Sequence, residues 1–154
     1  PFTGEELIAA AAIVPDVAII HAARADKSGS IQMEGTTGTD IEMMRAAKKR
    51  IVSVEEIVPS EEIWKHPEKT KVPKFQVDMV IEAPLGAHPT ACAPHYVFDA
   101  WHIMKYIEYA ASSETFKKYV EDFVMKPEWE YLEAIGGMKQ ASILRRLARE
   151  VKYL

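Results

Sequence analysis

The stretch VDMVIEAPLGAHPTACAPHY, residues 77–96, decides how this chain is read. An apolar run of strand length, Gln76 to Ala83, passes at Pro84 into a loop punctuated by glycine and proline that carries a histidine. In open α/β sheets, ligands collect beyond the carboxyl ends of the strands. Gly86-Ala87-His88-Pro89-Thr90 offers backbone N–H groups and an imidazole at such a position, with Gly86 allowing close approach and Pro89 fixing the exit direction.

Outward from that loop the same class repeats. Val17 to Ala22 is a short apolar run that fits a parallel strand covered on both faces, and Ile51 to Val54 is the next. Thr39 with Glu42 reads as a capping box opening a helix through about Lys49, and Ile31 to Gly35 as a brief strand. The alternation predicts an α/β fold: an open, mostly parallel sheet flanked by helices, in one domain over residues 1–154, with a helical C-terminal segment. A helix is also expected over residues 4–13, from a Thr3/Glu6 capping box to Pro15. Residues 59–73 read as a polar surface connection pinned by Trp64.

Toward the C-terminus, Asp99 caps a helix over residues 100–110, and Ser112 or Ser113 one through Met125. In the latter, Phe116, Tyr119, Val120, Phe123 and Val124 mark one face. Pro127 starts a shorter helix ended by Gly136-Gly137. The last helix points Ile143, Leu144, Leu147 and Val151 inward and Arg145, Arg146 and Arg149 outward. Met33, Met43, Met44, Met79 and Met104 are expected as core filler.

A chain of 154 residues, 48% apolar and 27% charged, is long enough for one domain with a real core. A net charge of −4 with interspersed cations gives no nucleic-acid footprint. The longest apolar run, Leu7 to Val14, falls well short of the roughly 20 residues a membrane helix needs. No signal peptide opens the chain, and the single cysteine, Cys92, forms no intrachain disulfide, so a cytoplasmic location is expected. The start at Pro1 is consistent with proteolysis, a split gene or a truncation.

Several side chains are candidates for chemistry, each with a structural alternative. His88 suits orienting a carboxylate or a thioester carbonyl, or else bonds within its own loop. His21 and Arg24 lie at the end of the first strand, where Arg24 would meet an anion or pair with Asp26. Glu55 and Glu56 follow the second strand and point to opposite faces, so one of them faces the cleft; Glu82 has the same topological claim. Residues 35–39, GTTGT, resemble a phosphate cradle or a plain helix cap. His66, His95, His102 and Cys92 match no metal-ligand spacing, and no metal is expected.

Three segments in order, PDVAIIHAARADKSG (15–29), RIVSVEEIVP (50–59) and the GAHPT loop (86–90), resemble the α subunit of family I coenzyme A (CoA) transferases. The branch they resemble most is that of glutaconate CoA-transferase. The resemblance covers most of residues 1–135 and the C-terminal half of that α subunit only. It implies transfer of CoA from an acyl-CoA to a short-chain mono- or dicarboxylic acid, in a ping-pong reaction through a glutamyl-CoA thioester. The nucleophilic glutamate would sit on a partner β subunit, so no catalytic residue is expected on this chain. Arg24, Gly86, Ala87, His88 and Thr90 would contact substrate or CoA, with Glu55 and Glu56 as cleft carboxylates. CoA thioester is then a substrate, and no cofactor is bound. The partners implied are the missing N-terminal half of the α subunit together with the β subunit. A CoA-ester hydrolase of the same fold, as in steroid-ring degradation, is an alternative, and PFTGEEL at residues 1–7 resembles that group. An inactive half-subunit serving assembly is another.

Overall fold

The structure, a computed structural model, describes residues 3–6 and 8–150. Five strands form one sheet in the order β4-β2-β1-β3-β5. They are β1 (Val17–Asp26), β2 (Ile31–Gln32), β3 (Lys49–Val58), β4 (Thr70–Val72) and β5 (Met79–Glu82). The long registers are parallel: β1 runs beside β3 from Val17↔Lys49 to Asp26↔Val58, and β3 beside β5 from Ile51↔Met79 to Val54↔Glu82. The short β2 and β4 add antiparallel pairings at the other edge. The sheet is mixed but mostly parallel, as the α/β reading requires.

Both β1 and β3 run further than their apolar cores suggest, because parallel pairing continues through His21, Arg24 and Glu56. Ala18, Ile20, Ala22, Val52 and Val54 alternate toward one face, where they meet Met44 of helix α1 (Asp40–Ala46), Ala47 just after it, and Ile31, Met33 and Val72. Each fully buried Val or Ile there contributes about 1.5–3 kcal/mol. The other face is only half covered. Ala23 packs under Leu85, Cys92, Tyr96 and the Ala141 and Leu144 side chains of helix α6 (Gly137–Glu150). Nearer the start of the strands, Val17, Ile19, Met79 and Ile81 share that face and lie open, Ile19 at 67% exposure. The expectation of a strand covered on both faces therefore fails at its first half.

Other local expectations are corrected too. No helix forms among the described residues 3–6 and 8–15: Ile8 and Ile13 face solvent, and so short an amphipathic segment is marginal without a surface to pack on. Thr39 precedes α1 without a side-chain cap bond. In the polar connection, helix α2 (Ser60–Trp64) buries Ile63, whereas Trp64 is 68% exposed. Of the five methionines expected in the core, Met33 and Met44 are buried, whereas Met43, Met79 and Met104 are exposed.

The C-terminal helices are α3 (Ala100–Tyr109), α4 (Ser113–Tyr119), α5 (Glu128–Ala134) and α6. Asp99 caps α3 by accepting from the His102 amide, and Ser112 with Thr115 forms a reciprocal cap on α4. After α4 the chain widens into a π-turn over Val120–Val124, the Met125 amide reaching back to the Val120 carbonyl. That extra residue rotates Val124 outward, so Tyr119 and Phe123 alone of the expected stripe are buried, in a cluster with Ile135. Val151, expected on the inner face of α6, lies outside the described residues. No helix is long and apolar enough to cross a membrane among the described residues.

Candidate functional site

Three elements converge at the carboxyl ends of the parallel strands. β1 supplies Arg24, β3 supplies Glu55 and Glu56, and the segment after β5 supplies Pro84, Pro94 and His95. With Arg145 and Arg149 of α6 they line an open cleft of about 400 Å³. This is where an open α/β sheet places a ligand.

The two adjacent glutamates divide as strand alternation requires. Glu55 is buried: one carboxylate oxygen bonds His21 Nε2 at 2.8 Å and the other accepts the Leu85 amide at 3.0 Å. Burial works against its ionisation, but bonds from His21, Leu85 and Tyr96 outweigh it and hold the carboxyl below its ordinary value. With Glu55 ionised, His21 Nε2 donates to it, and His21 Nδ1 lies 2.8 Å from the Ser53 hydroxyl. Glu56 faces the cleft and accepts from Arg24 Nε at 2.6 Å.

That pairing corrects one expectation. Arg24 does not pair with Asp26; it sits directly opposite Glu56 in the parallel register. Asp26 is buried and accepts from the Ser28 and Ser30 amides and the Ser28 and Ser60 hydroxyls. Burial raises its pKa, yet those bonds more than compensate and lower it.

The GAHPT loop is placed beside this cleft, with its polar groups largely spent inside the protein. Gly86 lies against the His21 ring so closely that a Cβ there would come within 2.7 Å of His21 Cε1. The Ala87 amide donates to the Tyr96 hydroxyl, the His88 amide to the Leu85 carbonyl, and Thr90 closes back on the Ala87 carbonyl. The His88 side chain is 0% exposed. Its Nδ1 meets the Tyr131 hydroxyl at 2.5 Å and its Nε2 the Asp99 carboxylate at 3.3 Å, where Gln140 also donates. Burial lowers the His88 pKa despite Asp99, so the ring is neutral near pH 7. Asp99 is held low because bonds from His102, Gln140 and His88 outweigh its burial.

Glu82 turns to the Ile57 amide at 3.4 Å. Residues 35–39 lead into a seven-residue helix and bring no cationic side chain with them. His21, Glu55 and Cys92 do place donor atoms within 4.8 Å of one another. His21 and Glu55 already use those atoms on each other, on Ser53 and on Leu85, and burial followed by the charge of Glu55 pushes the Cys92 thiol up to about 12. His21 and Glu55 form a satisfied hydrogen-bonded pair with a protonated thiol beside it.

Sequence reasoning missed His95, Arg145 and Arg149 as cleft residues. His95 Nε2 is buried and has no hydrogen-bond partner among the described residues; burial lowers the His95 pKa, Glu55 and Glu56 partly offsetting this. The available signal was the i, i+4 spacing of Arg145 and Arg149, which puts both on one side of a helix.

The family model for coenzyme A transferase matches residues 1–83. The A subunit of glutaconate CoA-transferase from Acidaminococcus fermentans is 36% identical over 138 residues, covering 88% of this chain and 43% of that protein. The cholesterol ring-cleaving hydrolase IpdA subunit of Mycobacterium tuberculosis is 34% identical over 134 residues, covering 85% of this chain and 46% of its own length. The crystal structure of the A. fermentans glutaconate CoA-transferase superposes with a TM-score of 0.74 at 36% identity, over 81% of this chain and 40% of the other. The chain spans less than half the length of these relatives.

Proposed function

The chain belongs to the coenzyme A transferase family, and we propose that it forms part of a CoA-transferase α subunit that moves CoA from an acyl-CoA to a short-chain mono- or dicarboxylic acid. The observation that carries this reading is the cleft at the carboxyl ends of β1 and β3, in a chain so similar to 43% of the A subunit of a glutaconate CoA-transferase. A glutamate contributed by a partner chain attacks the acyl-CoA carbonyl and releases CoA thiolate. The thiolate then attacks the glutamyl carbonyl of the resulting mixed anhydride, expelling the original acid as its carboxylate and leaving a glutamyl-CoA thioester, and an incoming acid reverses the sequence. CoA enters as a substrate, and the chemistry calls for no metal and no bound cofactor.

This chain contributes the wall that binds and orients. Arg24, with its guanidinium on the cleft and its charge shared with Glu56, holds a carboxylate or phosphate. Gly86, Ala87, His88 and Thr90 act by fixing the loop: His88 ties it to α5 through Tyr131, and Gly86 seats it on His21. The exposed Val17, Ile19, Met79 and Ile81 face supports a subunit completed by further polypeptide, since soluble proteins rarely leave contiguous apolar sheet surface in water.

The test takes the complete protein with its partner subunit. Native mass spectrometry is expected to show a hetero-oligomer, and exchange of CoA between acyl-CoA and short-chain acids is expected from it. Arg24→Ala should raise KM for the acyl-CoA about tenfold with little change in melting temperature. A lowered melting temperature at unchanged KM makes the Arg24–Glu56 pair structural and removes Arg24 from the site.

The similarity to the ring-cleaving hydrolase subunit favours a second reading, hydrolysis of a CoA ester. Release of free CoA without any acceptor acid, from a complex that performs no exchange, selects it. A complex that does neither leaves the chain an assembly module.

A further inference from the structure

We propose that Arg145 and Arg149 of α6, with Arg24 and His95, form a binding site for a phosphoryl dianion. The four side chains reach one cleft from three parts of the fold: β1, the segment after β5, and the last helix. The negative charges lining the same cleft are already engaged. Glu56 accepts from Arg24 at 2.6 Å, and both oxygens of Glu55 are turned to His21 and Leu85. Arg145 and Arg149 make no ion pair among the described residues, so two guanidinium forks stand without a counter-charge on one side of a helix. His95 adds a buried Nε2 on the cleft wall that makes no hydrogen bond among the described residues and lies 3.9 Å from the Glu56 carboxylate.

Paired forks select the ligand class. A guanidinium presents its N–H groups in a plane that matches two oxygens at once, and a phosphoryl group offers three oxygens and two charges, enough for both arginines. A single carboxylate satisfies one fork and leaves the second uncompensated. The phosphates of a CoA thioester and those of a separate phosphate-bearing metabolite share this chemistry. The site thus deepens the reading above if CoA is its source, and it stands on binding alone if it is not.

The test is isothermal titration of the complete protein with inorganic pyrophosphate, with glutarate and with CoA, at fixed ionic strength. Pyrophosphate is expected to bind, and Arg145→Ala with Arg149→Ala together to weaken it by about tenfold or more, while Lys117→Ala, an exposed cation on α4, leaves it unchanged. Lysine at both positions, which keeps charge and removes the forks, should fall between the two and guards against a helix that fails to form. CoA weakened in parallel identifies CoA as the phosphate source. CoA unaffected while pyrophosphate is lost identifies a separate ligand. Undiminished pyrophosphate binding in the double variant, no binding by the unaltered protein, or glutarate binding as tightly through the same arginines overturns the proposal. Absence of CoA transfer with pyrophosphate binding intact refutes the transferase reading and leaves the site standing.

Discussion

Two histidines of this protein are each tied to a buried carboxylate, and they do opposite jobs. His21 and Glu55 sit on neighbouring parallel strands, bonded at 2.8 Å, directly behind the cleft formed by Arg24, Glu56 and His95. His88 and Asp99 sit outside the sheet, where Asp99 also caps α3 and accepts from Gln140 of α6. The first pair backs the rigid floor of the cleft. The second fastens the loop after β5 to three helices. The difference teaches that a histidine in a Gly/Pro loop beyond a strand end need not face ligand; the imidazole on the loop is the one sealed from solvent.

The largest expected effect breaks the second network. Asp99→Ala removes the acceptor for His102, His88 and Gln140 together and should destabilise by about 3–5 kcal/mol in urea unfolding, because it strands several buried donors. A loss below about 1 kcal/mol would mean that apolar packing alone holds the loop. Gly86→Ala probes the join between the two networks. Its Cβ would press on His21 and on the Ala83 carbonyl, and about 2 kcal/mol of strain is expected, read as a lower melting temperature with a disturbed His21 resonance.

Acid should separate the networks further. Folding lowers the pKa of His88, so the unfolded chain takes up its proton first as pH falls through the ordinary value of 6.5. The stability His88 contributes is present above that value and lost below it, and the depressed Glu55, Asp99 and Asp26 carboxylates extend the loss at lower pH. His88→Gln should flatten the fall in melting temperature between pH 7.5 and 5.5; an unchanged slope would show that His88 is not the group responsible. The smallest effect belongs to Glu56→Gln. Its pair with Arg24 is more than a third exposed, so stability should change by less than about 0.5 kcal/mol while acyl-CoA binding shifts, unlike its buried neighbour Glu55.

Local pattern carried much of the architecture. The apolar runs at Val17, Ile51 and Met79 do lie side by side in parallel, and Asp99 and Ser112 do cap helices. Patterns needing a packing surface were less reliable: the helix expected over residues 4–13 does not form among the described residues there, and Trp64 was outcompeted by Ile63. Of the candidate site, Arg24 and Glu56 were legible from their place after apolar runs. Arg145 and Arg149 were not, since an outward-facing arginine on an amphipathic helix reads as solvated until the helix is seen to return to the sheet.

The sequence by itself determined which segments pair as strands, where two helices begin and which family the chain resembles, because those depend on contiguous residues and their period. The tertiary structure decided which polar groups meet. Arg24 found Glu56 across the sheet rather than Asp26 two residues on, His88 was drawn inside by Asp99 and Tyr131, and α6 brought two arginines to the strand ends. Each of those partners is distant in sequence, and a buried polar group takes whichever partner the fold places within hydrogen-bond reach.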